Sequence, residues 1–359
     1  MTLPKKYSWK KLMQFCEQVL IKAGVPAKDA YIVAESLIGA DLRGVDSHGI
    51  VRLAIYVERI EKGMINPHAN IEIDSESGAT VLVNGNNHIG AVIGSKALHI
   101  AIEKAKQSGA GIVGVKGSNH FGTGAYYASK AIEQDFILMV LSNASQTMPP
   151  VGGVRPFIGT NPITVGVPTG NEVPFILDMA TSVVARGKII IAAQRGESIP
   201  IGWAIDKEGN PTTNAEAALT GSVLPVGGHK GYGISMFIDI LSGVLTGAGF
   251  GKYVNNMYEN WNEPQNVGHF FVAIDINRFI PMDFFKTRMD QYIQEIKAEP
   301  KAPGVDEILI PGEIEYRLSE KRKQQGIELP SKVSDELARI GEKYGVNLSD
   351  ATMEVPNNH

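Results

Sequence analysis

Apolar residues recur every three or four positions from Ser8 to Ile60, the spacing that lays one apolar stripe along an α-helix. Val25-Pro26-Ala27-Lys28-Asp29 interrupts the pattern and puts a helix start ahead of Ala30, so a small helical lobe is predicted. Leu12, Phe15, Cys16, Val19 and Leu20 share one stripe, which places Cys16 in the core. After the turn-rich Gly63-Met64-Ile65-Asn66-Pro67 the texture shortens to β segments at 80–83 and 111–115, with an amphipathic helix at 94–107 between them. A helix at 125–134 and a fully buried strand at 136–141 follow. Beyond Gly152, strands at 164–167 and 175–177 succeed one another through turns with no helix between, favouring a mixed or largely antiparallel sheet over a purely parallel one. Helices return at 233–245 and 282–297, and polar helices are predicted at 313–325 and 331–344. The closing Val355-Pro356-Asn357-Asn358-His359 reads as a frayed end. The class is α/β.

A chain of 359 residues, 43% of them hydrophobic, has apolar surface enough for two lobes. Its 34 basic and 38 acidic side chains give no general attraction for phosphate backbones or anionic membranes, so neither nucleic acid nor membrane is an expected partner. A single cysteine cannot form an internal disulfide. The opening MTLPKKYSWKKLMQF lacks the apolar run of a secretion signal, and no later stretch runs about 18 apolar residues, so a soluble, cytoplasmic protein is expected. The 39 glycines gather at 85–94, 109–124, 152–170, 227–233 and 243–251, where close backbone approaches are expected.

Three clusters carry candidate chemistry. In GADLRGVDSHGIVR, residues 39–52, Asp46 or Ser47 fits a helix N-cap, which puts His48 in the first turn and Arg52 and Tyr56 at successive fours on its face. A capped helix with Arg52 in surface ion pairs is the plain reading. A helix N-terminus, however, keeps an imidazole neutral and available as a base, and a guanidinium nearby suits a carboxylate, which together describe an acid/base site for an anionic small molecule. The second cluster, Ser118-Asn119-His120-Phe121-Gly122-Thr123-Gly124, lies between a β run and a helix, where backbone amides bind anions. It is a poor Rossmann fingerprint, because Tyr127 stands where the third glycine would be. His120 fits equally a turn histidine satisfied by backbone. The third, Gly227-Gly228-His229-Lys230-Gly231-Tyr232-Gly233, could cradle phosphate or be a glycine-rich turn with a solvated lysine, and it lacks the spacing of a nucleotide-hydrolysing loop. No metal is expected, since HExxH, paired CxxC and EF-hand patterns are missing. A serine hydrolase lacks support too, with no GxSxG elbow.

These stretches recur together with Gly159-Thr160-Asn161-Pro162, Asp178-Met179-Ala180-Thr181-Ser182 and Pro311-Gly312-Glu313. The set, in order over nearly the whole chain, resembles the malate/L-lactate dehydrogenase family, which is distinct from the Rossmann-type enzymes of those names. The resemblance implies a homodimeric NAD(P)-dependent oxidoreductase of small 2-hydroxy acids, malate or lactate in type, with a non-Rossmann cofactor domain on a largely antiparallel sheet. It suggests a helical substrate lobe at 1–70, the cofactor domain at 71–225 and a returning segment at 226–359 that completes the first lobe. Ureidoglycolate dehydrogenases and cyclic imino-acid reductases of the same family are alternatives, and a nicotinamide-binding protein without catalysis is another. By the same resemblance His48 with Ser47 is one candidate for proton transfer, His120 a second, and Arg52 the carboxylate clamp with Tyr56 on its face. Thr160 and Asn161 border the substrate, and Arg155 tilts the choice towards a small mono- or dicarboxylate. Cofactor contacts are implied at Phe121, Gly122, Thr123, Gly124, Ala144, Asp178, Met179, Ala180, His229, Lys230, Pro311 and Gly312, with NAD or NADP left open because the usual ribose selector belongs to a Rossmann motif.

Overall fold

The computed structural model describes residues 5–353; the closing Val355–His359 stretch read as frayed lies outside them. The short strand β1 (Lys6–Tyr7) leads into α1 (Trp9–Lys22), α2 (Ala27–Leu42) and α3 (Leu53–Glu61). Leu12, Phe15, Cys16, Val19 and Leu20 form the buried stripe of α1, as the periodicity requires. Pro26 stands immediately before α2, where its missing N–H costs nothing.

The second lobe begins with β2 (Glu72–Ser77), β3 (Thr80–Asn84), α4 (Gly90–Ser108) and β4 (Ala110–Ser118). Gly109, at φ 84°, ends α4 in the left-handed region and turns the chain straight into β4. Then come α5 (Gly124–Ile132), β5 (Phe136–Ser142), β6 (Ile163–Val167) and β7 (Phe175–Met179). Residues 186–223 fold into α6 (Arg186–Arg195), β8 (Ala204–Ile205), β9 (Pro211–Thr212), α7 (Ala215–Thr220) and β10 (Ser222–Val223), around a small core of their own that includes Ile189, Ile199 and Val223. No helix stands between β6 and β7, as expected, but α6 and α7 come before 233, where helices were expected to return. Only Ile189 and Ala192 of α6 are buried, so it carries almost no apolar stripe to read.

The chain continues through α8 (His229–Asp239), a π turn at Ile240–Val244, β11 (Val267–Asp275), α9 (Met282–Ala298), α10 (Glu313–Gln325), β12 (Ile327–Glu328) and α11 (Ser331–Tyr344). The main sheet has seven strands in the order β2-β3-β4-β11-β5-β6-β7. Every neighbouring pair is antiparallel except β3 and β4, which α4 joins as a crossover. The returning segment thus does two things. Its strand β11 enters the middle of the large sheet, where Phe271 faces Val113 on β4 and Val140 on β5. Its last part rejoins the first lobe, with β12 on β1 and Leu337, Val346 and Leu348 in the same core as Leu12 and Phe15. Burying such side chains is worth about 1.5–3 kcal/mol each, which favours knitting the two chain ends into one lobe.

Candidate active site

Between α2 and α3 the chain makes two 3₁₀ turns, Asp46–His48 and Ile50–Arg52, joined at Gly49. Neither turn nor α3 is capped by the side chain of its own N-cap residue, so the expected cap at Asp46 or Ser47 is replaced by another device. That device is Asp41, buried at the end of α2, whose carboxylate accepts the Ile50 N–H at 2.8 Å. Asp46 is drawn outward instead, into an ion pair with Arg322 of α10. The Asp41 bond holds the turn so that Ser47, His48, Arg52 and Tyr56 still meet. Ser47 Oγ and His48 Nδ1 share a hydrogen bond of 2.9 Å, and Arg52 Nε donates to the Ser47 carbonyl at 2.7 Å.

His120 arrives from the loop between β4 and α5. Tyr56 Oη and His120 Nδ1 are hydrogen-bonded at 2.6 Å, and the His48 and His120 rings lie 5.2 Å apart. The loop is fixed from beneath. Asn119 Nδ2 donates to Asn87 Oδ1 and the His88 carbonyl, the His120 N–H donates to Gln265 Oε1 at 2.9 Å, and Phe121 stacks on His269 at 4.2 Å. Tyr127, the ring that spoils a Rossmann motif, is accommodated because Gly94 of α4 has no side chain: a Cβ there would lie 2.5 Å from the phenol oxygen.

Burial, and then the Arg52 charge, pull the His48 pKa down to about 4. Burial first, followed by His48, Arg52 and His269, holds His120 well below the ordinary histidine value. Both imidazoles are therefore neutral near pH 7. Burial raises the Tyr56 phenol, so it stays protonated as a hydrogen-bond partner. With Nε bound to Ser47, both terminal nitrogens of Arg52 are open, and no acidic side chain pairs with it among the described residues.

The cofactor residues implied by resemblance gather at two helix mouths. Asp178, at the end of β7, accepts the Ala125 N–H of α5 at 3.0 Å and the Thr164 hydroxyl at 2.7 Å. Burial raises its pKa, and these two donors pull it back. A Cβ on Gly124 would lie 1.8 Å from Thr164 Oγ1, so only glycine allows this approach. Pro311 accepts the Ile176 N–H at 3.0 Å, which brings Pro311 and Gly312 beside the same strand. Phe121 and Gly122 are buried ahead of the helix, and Met179 and Ala180 follow Asp178, half-buried. A groove of about 550 Å³ runs past Thr123 and Gly312, lined also by Arg43, Tyr126, Ile176 and Tyr316. Arg43 Nε is buried there without a partner. The lining also holds Glu35, Glu133 and Glu320 beside Lys130 and Lys323, and a buried cation with an unsatisfied donor is the group there that suits an anionic dinucleotide.

At the second mouth His229 and Lys230 are exposed where α8 begins. Ala144 N–H donates to Asn161 Oδ1, and Asn161 Nδ2 donates to the Ser235 carbonyl of α8, both at 3.0 Å. Asn161 is fully buried, so its amide holds backbone and is not brought to the histidines. The Thr160 carbonyl accepts the Thr181 N–H. Arg155 is exposed on the loop after β5 and makes no ion pair among the described residues. Asp41, Gln265, Arg59 and Tyr258 escaped sequence reasoning. Asp41 had a readable signal, an acid on the apolar stripe Val33, Leu37, Ile38; the others meet the site only through tertiary contacts.

The profile of the malate/L-lactate dehydrogenase family matches residues 7–338. The malate dehydrogenase of Pyrococcus horikoshii is 44% identical over 344 residues, covering 94% of each chain. The L-sulfolactate dehydrogenase of Methanothermobacter thermautotrophicus is 41% identical over 94% of this chain and 96% of its own. Among solved structures, sulfolactate dehydrogenase from Methanocaldococcus jannaschii superposes with a TM-score of 0.91 at 41% identity, over 96% of this chain and 99% of that one. The family match, the sequence identities and the structural superposition agree: the chain belongs to the malate/L-lactate dehydrogenase family.

Proposed function

We propose that this chain is a nicotinamide-dependent dehydrogenase of small 2-hydroxy acids, malate or lactate in type, in which Arg52 holds the substrate carboxylate and His120 exchanges a proton with the C2 oxygen. One arrangement supports the reading: two neutral imidazoles 5.2 Å apart beside a guanidinium whose terminal nitrogens are open. Held by the Ser47 carbonyl, Arg52 presents those nitrogens as a fork, the shape a carboxylate accepts bidentately. Tyr56 occupies Nδ1 of His120 and leaves Nε2 for the substrate. In the oxidising direction Nδ1–H donates to the phenol oxygen while the Nε2 lone pair takes the hydroxyl proton; in reverse, Nε2–H returns it. Arg52 weakens both imidazoles as bases. A bound carboxylate neutralises that charge, so the base strengthens as the substrate arrives. His48, tied to Ser47, lies alongside as a second hydrogen-bonding imidazole.

A bound nicotinamide would supply the hydride acceptor for the substrate C2. Phe121, Gly122, Thr123, Gly124, Asp178, Pro311 and Gly312 would hold the cofactor, with Arg43 as the cation for its phosphates. The working unit in this proposal is a homodimer joined through the outward face of α8.

The test is a substrate panel. Pure protein is given NAD or NADP with malate, lactate, sulfolactate or ureidoglycolate, and with oxo and cyclic imino acids in reverse, while nicotinamide absorbance is followed. Turnover with a malate- or lactate-type acid is expected, and none with any member overturns the reading. His120→Gln should lower kcat by about 10²–10⁴-fold, the worth of a positioned acid/base, with nucleotide binding kept.

A further inference from the structure

We propose that residues 255–265 form a strap that sets the pose of the substrate-binding guanidinium, with Tyr258 and Arg59 as positioning residues; the proposal rests on Arg52 being the carboxylate clamp. The strap lies just ahead of β11 and closes on itself, the Asn255 N–H donating to the Gln265 carbonyl at 3.0 Å. It touches the site at two points. Gln265 takes the His120 N–H, and the Tyr258 ring lies 5.5 Å from the Arg52 guanidinium. Met257, next to Tyr258, is buried in the core of the first lobe.

What holds the strap down is Arg59, two turns along from Arg52. It is completely buried, and its Nη1 donates to the carbonyls of Met257 and Asn260, both at 3.0 Å. These carbonyls flank Tyr258. The Arg59 guanidinium also lies 5.4 Å from the Trp261 ring, which Lys62 Nζ approaches from 3.9 Å. Arg59 Nε and Nη2 have no partner, and no carboxylate pairs with Arg59 among the described residues. An arginine buried this way is expensive, and an apolar side chain would fill the volume at lower cost. The charge is explained by what it grips. It pins the two carbonyls that present Tyr258, and it adds a second uncompensated cation to the helix that carries Arg52.

Arg52 is thereby fixed on two sides, by the Ser47 carbonyl at Nε and by an aromatic face, while its terminal nitrogens stay open. A long side chain held this way loses less freedom when a carboxylate binds, so the strap acts on substrate affinity and not on the proton transfer. Tyr258 is 52% exposed, so replacing it leaves the core untouched.

The experiment compares Tyr258→Leu, Tyr258→Phe, Arg59→Met and Arg52→Lys in the whole protein, measuring kcat and each Michaelis constant with the other substrate saturating. Tyr258→Leu should raise KM for the acid about three- to tenfold, the worth of a cation–π contact, with kcat and nucleotide KM unchanged. Phenylalanine keeps the ring and should restore the affinity, and Arg59→Met should reproduce the leucine pattern. An unchanged acid KM in Tyr258→Leu beside a raised one in Arg52→Lys overturns the strap and leaves the clamp standing. So does a Tyr258→Leu that damages kcat and nucleotide KM alike. An unchanged acid KM in Arg52→Lys removes the clamp itself, and the strap with it. If Arg59→Met does not fold, the exposed Tyr258 pair decides alone.

Discussion

Gly49 is the residue on which the first half of the site turns. A Cβ there would lie 1.7 Å from Asp41 Oδ1 and 2.2 Å from its Cγ, inside a carboxylate that is fastened to the next backbone N–H. Gly49→Ala must push Asp41 off Ile50 or move the turn that carries His48. We expect a loss of about 2–3 kcal/mol in urea unfolding, the upper end for overpacking, and a fall in kcat of about 100-fold from misplacing the imidazole. Wild-type kcat in a folded Gly49→Ala variant would show that the turn does not position His48. Asp46, Ser47, His48 and Arg52 were legible because they sit within six residues of one another. Their geometry was not. A serine or aspartate before a helical pattern predicts a cap, and Asp41, at the far end of the preceding helix, took the amide that the cap would have served. Tyr56 and His120, 64 positions apart, were each readable as candidates, but nothing local says that one holds the other.

At the scale of elements, β11 is where reading by pattern and folding part company. Strands β4 and β5 were found from their apolar runs, yet the strand between them comes from more than 120 residues further on. Its one polar ring is His269, fully buried, with Nδ1 on Ser142 Oγ at 2.9 Å and Nε2 on Ser118 Oγ at 2.8 Å. It is also the ring on which Phe121, neighbour of His120, is stacked. Burial pulls its pKa from 6.5 down to about 3. Between those values the unfolded chain binds a proton that the folded chain refuses, so stability falls as pH falls, by about 1.4 kcal/mol per pH unit from this group. His48, drawn to about 4, acts in the same direction over its own window. Asp41, raised to about 7 by burial, acts oppositely: its contribution is present at low pH and is lost as pH rises towards 7. His269→Phe keeps the stack and removes one titration. We expect it to lose about 1–2 kcal/mol at pH 7 through the missing hydrogen bonds, and to show a shallower decline from pH 6 to pH 4 in urea midpoints. An unaltered slope would mean that His269 is not the group that makes the fold acid-sensitive.

For the molecule as a whole, the outward face of α8 and its π turn is the part that a single chain does not explain. Ser235, Ile238, Ser242 and Gly243 face the sheet, while Ile234, Phe237, Ile240, Val244 and Leu245 face outward, each more than 40% exposed and Leu245 62%. Nearby, Phe250 and Tyr253 are also open. Contiguous apolar faces of this kind mark protein interfaces, and a second copy of the chain is the occupant that the family resemblance supports. In sedimentation velocity the wild type should run at about twice 38.7 kDa. Phe237→Asp with Leu245→Asp puts two charges into a self-facing patch, where like charges meet their own symmetry mates, and should shift the population to the single-chain mass at unchanged circular dichroism. The same helix receives Asn161 on the Ser235 carbonyl and begins at His229 and Lys230. Freeing it should therefore raise the Michaelis constant for the nucleotide in the monomeric variant, whereas a wild type that sediments as a monomer would leave the α8 face without its proposed partner.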